Sequence, residues 1–220
     1  MIDWRIYMAI FLVISSGRAI ADNVADVDSA HNGNGHPADG LNFGRFKKNS
    51  LTYRIKKYPD WRRSDKLTKD QLNDYVCKAL QNAFKLWGQV TNLQFTESSR
   101  PESDITVLFV ASYHGDRYPF DGPGGNIAHT FYPTHLTRSG QIHVDETEPW
   151  GPGGRNLYWV LAHEVGHVLG LPHSRPPSLM APGYRGYTEK LPELSSRDIF
   201  SIRTLYGERT KKRKITPQNE

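Results

Sequence analysis

The sequence predicts an α+β fold, with most strand-like segments placed ahead of the last two helices. Three observations carry that expectation. Runs such as "DITVLFVA" (104–111) have the length and apolar content of buried strands. Apolar residues also recur at helical spacing behind a capping signal at Thr68 and Gln71. Loops dense in glycine and proline, "YPFDGPGGN" (118–126) among them, separate these segments. With 220 residues the chain has room for one ordinary core plus short appendages, and 37% hydrophobic with 23% charged residues suits a soluble globular protein.

The first segment stands outside that fold. Arg5, the apolar run "IYMAIFLVI" (6–14) and Ala19-Ile20-Ala21 fit a secretory signal over residues 1–21. The run is too short for a bilayer, which needs roughly 20 apolar residues, so no span is expected after signal removal. A signal anchor is the alternative. Cleavage would start the mature chain at Asp22 in an oxidising compartment. The lone Cys77 allows no intrachain disulfide there, which leaves bound metal as one source of rigidity. Residues 22–44, rich in Gly, Asn, Asp and Ala, read as a flexible leader, with His31 and His36 part of it.

The ordered elements follow. "SLTYRIKKY" (50–58) alternates as a strand, with Leu51, Tyr53 and Ile55 on one face. From Thr68 a helix runs to about residue 88, its stripe made by Leu72, Val76, Leu80, Ala83 and Trp87, with Cys77 at the margin beside Phe84. After the strand at 104–111, "NIAHTFY" (126–132) and "GQIHVD" (140–145) are two more strands. Further helices are expected over about 156–169 and 195–206. The basic run "RTKKRK" (209–214), within a tail at 208–220, supplies much of the net charge of +5. Acidic glycans are its candidate partner and a solvated end is the alternative; no nucleic-acid role is expected.

The chemistry concentrates in "HEVGHVLGLPHS" (163–174). On a helix, His163 and His167 are four residues apart and project from one face. Glu164 falls between that face and the apolar side carrying Leu157, Leu161, Val165 and Val168. Gly170 can take a left-handed conformation, end the helix and let the chain bring His173 back. Three imidazoles leave a fourth zinc position open, as a catalytic site requires. A helical His pair alone could be structural, but the added glycine and third histidine argue against that reading. Zinc lowers the pKa of its water towards ~7 and polarises a carbonyl. Glu164 is then the general base that takes the proton and passes it to the leaving amine.

With these residues in view, the chain over 45–207 resembles the catalytic domain of a matrixin, a matrix metalloproteinase in the metzincin clan. The resemblance rests on HExxHxxGxxH at 163–173, on Ser174 directly after it, and on "SLMAP" (178–182), which resembles the Met-turn with Met180 beneath the zinc. The interval from His173 to Met180 is one residue shorter than is usual in vertebrate members. The resemblance implies a zincin-like fold, with a twisted mixed sheet, three main helices and an active-site cleft.

It also implies further sites. His114, Asp116, His129 and His143 would make a closed His₃Asp set suited to structural zinc, and they match the family's positions for it. Asp121, Asp145 and Glu148 offer carboxylates and Gly122, Gly124 and Asn126 offer carbonyls for one calcium. A second calcium site is expected to be weak or lost, because Gln141 stands where the family has aspartate. Ile127 and Ala128 resemble the edge strand that pairs with extended substrate. Pro182, Gly183 and Tyr184 resemble the outer wall of the pocket for the residue after the scissile bond. Trp159 matches a position lining that pocket, which its indole would make shallow; a core tryptophan is the alternative. Asp198 matches a family aspartate that pairs with the mature N-terminal ammonium, with Arg197 where an acidic neighbour is usual.

Family members carry a propeptide cysteine that blocks the zinc, and the leader at 22–44 shows no such motif. A C-terminal haemopexin-like domain is not expected either. The reading that follows is a secreted, extracellular, zinc-dependent endopeptidase acting on extended polypeptides of the matrix or of other secreted proteins. A catalytically silent relative acting as a binding or decoy module is the alternative.

Overall fold

The computed structural model describes residues 43–64, 66–184 and 191–210. The expected signal segment, nearly all of the leader and the tail beyond 210 lie outside the described residues. Five strands form one mixed sheet: β1 Ser50–Lys57, β2 Gln94–Glu97, β3 Ile105–Val110, β4 Ala128–Thr130 and β5 Gln141–Asp145, in the order β2-β1-β3-β5-β4. β1 runs parallel to both β2 and β3, β3 runs parallel to β5, and β4 alone pairs antiparallel. Among the described residues three α-helices accompany it, α1 Lys69–Gly88, α2 Leu157–Val168 and α3 Ser196–Tyr206, besides one 3₁₀ turn at Trp61–Arg63.

Local signals explain the helices. Thr68 and Gln71 exchange both capping-box hydrogen bonds, so α1 starts where the sequence predicts. Asn156 caps α2 by accepting from the Trp159 amide, and Ser195 with Asp198 forms a second capping box that opens α3. Parallel pairing of β1 with β2 needs a long crossover, which α1 supplies. β2 itself carries no readable pattern, since three of its four residues are exposed and Phe95 is half-buried. It is a strand because β1 lies beside it, Leu51 opposite Phe95. β4 is shorter than the expected 126–132. Its upstream end is drawn into the acid-rich loop, where the Asn126 amide donates to Asp121 at 3.1 Å.

α1 packs on α2, and α2 lies against β4 and β5. Trp87, fully buried at the end of α1, donates from Nε1 to the Ala162 carbonyl at 2.8 Å and ties the helices together. That contact requires glycine at 166. A methyl there would strike Met180 Sδ and lie 2.9 Å from Trp87 Cζ2. Gly166→Ala is therefore expected to overpack the core at a cost of about 1–3 kcal/mol, read as a lower urea midpoint; an unchanged midpoint would contradict this packing. α3 closes the unit through Tyr206, whose hydroxyl donates to the Leu169 carbonyl at 2.9 Å and accepts from the Phe46 amide at 3.1 Å. Gly170, at φ +102°, turns the chain out of α2 where any Cβ would overlap the Gly44 carbonyl.

Candidate metal centres and catalytic cleft

α2 presents His163 and His167 one turn apart, and the turn at Gly170 brings His173 to them. One ring nitrogen from each lies within 4.8 Å of the other two. The two helical imidazoles have defined tautomers. Nδ1 of His163 lies 2.7 Å from the Leu179 carbonyl, and Nδ1 of His167 lies 2.7 Å from the Leu171 carbonyl. Carbonyls only accept, so both Nδ1 atoms carry a proton, and in the neutral rings both Nε2 atoms present lone pairs. Those Nε2 atoms face one another at 3.0 Å. Two lone pairs at that distance repel unless they share a cation, so the donor set fits zinc. Glu164, fully buried next to them, accepts from Thr130 Oγ1 at Oε2.

The support below the site comes from 178–180. The Ser174 amide donates to the Met180 carbonyl at 2.7 Å, closing the short loop after His173, and Met180 is 1% exposed. Asp198 anchors this loop from α3. It accepts from Ser178 Oγ, from the Leu179 amide at 2.9 Å, and from the Ser195 amide and hydroxyl at 2.8 and 2.7 Å. Its buried oxygens serve the Met180 loop and the α3 cap, and the N-terminal ammonium expected as its partner lies outside the described residues. Ser178 and Leu179 give no sign of this in the sequence, because the contact spans two segments that only packing joins.

Strand alternation builds the second cluster. His129 on β4 sits opposite His143 on β5 in the antiparallel register. The 112–120 loop, closed by the Phe120 amide on the Ser112 carbonyl, delivers His114 and Asp116. Asp116 Oδ2 lies 2.8 Å from His114 Nε2, 3.1 Å from His129 Nε2 and 2.9 Å from His143 Nδ1. All four expected ligands are thus together and largely buried, a closed set fitting structural zinc. Burial raises the Asp116 carboxyl, but the Tyr118 amide and the neighbouring imidazoles outweigh it and hold the group below its ordinary value.

His143 titrates at about 3, because burial penalises its charged form and His129 repels it further. An unfolded chain takes up that proton near pH 6.5, so the unfolded state binds more protons between about 6.5 and 3. This share of stability is complete above about pH 6.5 and is lost as the pH falls towards 3. Urea midpoints measured in chelator are expected to decline steadily below pH 6.5; a flat profile would contradict a buried neutral His143.

The acid-rich loop packs three carboxylates. Asp121 accepts from the Asn126 amide, Glu148 Oε1 from the Gly124 amide at 2.7 Å, and Asp145 Oδ1 from the Thr147 amide and hydroxyl at 2.8 and 2.7 Å. Burial lifts the Asp145 and Glu148 carboxyls above their ordinary values, with charge from Asp121 acting on Asp145 and from Asp145 on Glu148. Asp145 Oδ2 and Asn126 Oδ1 are buried without hydrogen-bond partners. Clustered carboxylates with an orphaned oxygen fit a hard cation such as calcium. The sequence did not suggest Arg155, which donates to Glu148 Oε2 and lies over the Tyr184 ring, 5.5 Å from its centroid.

The cleft residues separate. β4 is the edge strand, beside α2. Ile127 is fully buried and its carbonyl accepts from the Asp145 amide at 2.9 Å, so it pairs inward; antiparallel alternation leaves Ala128 to offer the outer edge. Ile127 is corrected accordingly. Tyr184 is buried and its hydroxyl accepts from the Asn156 amide at 2.6 Å, while Pro182 is exposed next to it. Trp159 is half-buried at the margin of the core.

A buried glutamate flanked by two helical histidines, a third histidine after a glycine turn and a methionine loop below define a zincin-type site. The matrixin family model matches residues 45–207, and the chain belongs to that family. It is 44% identical to macrophage metalloelastase of Rattus norvegicus over 176 residues, 78% of this chain and 36% of that protein. It is 42% identical to stromelysin-3 of Xenopus laevis over 194 residues, 86% of this chain and 38% of the relative. Interstitial collagenase of Sus scrofa is 44% identical over 167 residues, 74% of this chain and 33% of that protein. The chain thus spans about a third of the length of these curated relatives. No helix among the described residues is long and apolar enough to cross a membrane.

Proposed function

We propose that this chain is a secreted zinc endopeptidase that hydrolyses internal bonds of extended polypeptides in the extracellular space, matrix proteins among them. The observation that carries this reading is the pair of Nε2 lone pairs on His163 and His167 converging with His173 beside buried Glu164. His163, His167 and His173 would hold the catalytic zinc, which supplies a Lewis acid and an acidified water. Glu164 takes the water's proton and delivers it to the leaving amine, so no covalent enzyme intermediate is needed. The outer edge of β4 at Ala128 aligns the peptide by backbone pairing, and Pro182, Tyr184 and Trp159 shape the pocket after the scissile bond. His114, Asp116, His129 and His143 would hold structural zinc, and the acid-rich loop one calcium, bracing a sheet edge that no disulfide secures.

The test is cleavage of a quenched fluorogenic peptide by residues 22–220, with zinc and calcium supplied. Activity that a chelator removes and zinc restores is the expected result. A folded, zinc-loaded protein that cleaves neither that peptide nor a broad peptide library would favour the silent, binding-module alternative. Trp159 predicts selectivity as well: its indole, at the pocket wall, should favour small side chains after the scissile bond. A library profile dominated by long or aromatic residues there would contradict that role and leave Trp159 as core.

A further inference from the structure

β4 faces two ways. His129 turns towards the His₃Asp cluster, and its neighbour Thr130 turns towards α2, as strand alternation requires. Thr130 is 4% exposed and Glu164 is fully buried. The threonine Oγ1 lies 2.6 Å from Glu164 Oε2 and 3.4 Å from the backbone carbonyl of the same residue. An ionised carboxylate can only accept, so the hydroxyl is the donor. The separation falls in the range of about 2.5–2.7 Å typical of O–H···O⁻ hydrogen bonds, which are stronger than neutral ones.

We propose that Thr130 is a positioning residue for the proton-transferring glutamate. Left alone, a glutamate side chain on one helical turn keeps several rotamers. The Thr130 hydroxyl reaches both the tip of Glu164 and its backbone, so it fixes the carboxylate relative to the helix that also carries His163 and His167. Because the donor sits on β4, the strand that would align substrate also sets the base that acts on it. Proton transfer depends on such alignment, and misplacement by about 1 Å can cost up to about a hundredfold in rate.

This inference rests on the proteolytic reading, and two substitutions test it on the zinc-loaded protein. Thr130→Val keeps the shape and deletes the donor; Thr130→Ser keeps the donor and deletes a methyl. The expected result is a fall in kcat of about tenfold for Thr130→Val with KM unchanged, and recovery to within about twofold of the parent in Thr130→Ser. Zinc content should stay level across the three proteins, and kcat is read well below each melting temperature, because stranding a buried acceptor lowers the stability of Thr130→Val. The proposal is overturned if Thr130→Val keeps the parent kcat, if Thr130→Ser is equally impaired, or if the loss vanishes once kcat is referred to folded, zinc-loaded protein. An inactive parent overturns the proteolytic reading and this role with it; an active parent with an unaltered Thr130→Val variant overturns this role alone.

Discussion

Glu164→Gln is expected to lower kcat/KM by about 10²–10⁴-fold while leaving zinc content and folding stability intact. Glutamine has nearly the same shape and still offers an oxygen to the Thr130 hydroxyl, so the contact at Oε2 survives. What it lacks is the capacity to take a proton. Glu164 is fully enclosed, so the substitution acts on a buried group. Removing a buried charge also relieves desolvation, so the melting temperature should not fall. Steady-state kinetics beside zinc analysis would check this. A glutamine variant with parent-like turnover would mean that another group moves the proton.

Asp198→Ala is expected to destabilise the fold by about 3–5 kcal/mol, a large part of the roughly 5–15 kcal/mol that holds a typical domain together. The carboxylate takes hydrogen bonds from Ser178, Leu179 and half-buried Ser195, and its removal strands the buried donors of Ser178 and Leu179. Orphaned buried donors cost about 1–3 kcal/mol each, partly relieved by relaxation. The effect should reach the metal site, since the Leu179 carbonyl sets the tautomer of His163 and Met180 lies against Gly166. Urea unfolding and chelator competition for zinc would both shift. Ser178→Ala should be milder, because the other donors keep their acceptor. An unchanged urea midpoint in Asp198→Ala would show that this anchor is redundant.

The acid-rich loop presents a competition that composition does not reveal. Arg155 neutralises Glu148 from inside the protein and also packs on Tyr184, so it joins the candidate calcium loop to the candidate pocket wall. Lys57 does similar work one strand away, pairing with Glu146 at 3.2 Å. Lys57 meets Glu146 across 89 positions because the sheet order brings their segments together, whereas Arg155 reaches Glu148 within one local loop.

What the sequence determined by itself was everything that depends on short spacing. Helical periodicity places His163, Glu164 and His167 on adjacent parts of one turn, and a capping box marks the start of α1 at Thr68. Glycine at 170 ends α2, whatever packs around it. Alternation in β4 and β5 likewise separates His129 and His143 from their neighbours. Tertiary structure alone decided the rest. It made a strand of Gln94–Glu97, turned Ile127 inward, gave Asp198 to the Met180 loop, laid Arg155 over Tyr184 and placed Thr130 on Glu164. The physical reason is common to all five. Period and capping act over a few residues of backbone, whereas these partners meet only once sheet order and helix packing have fixed which distant side chains share a buried space.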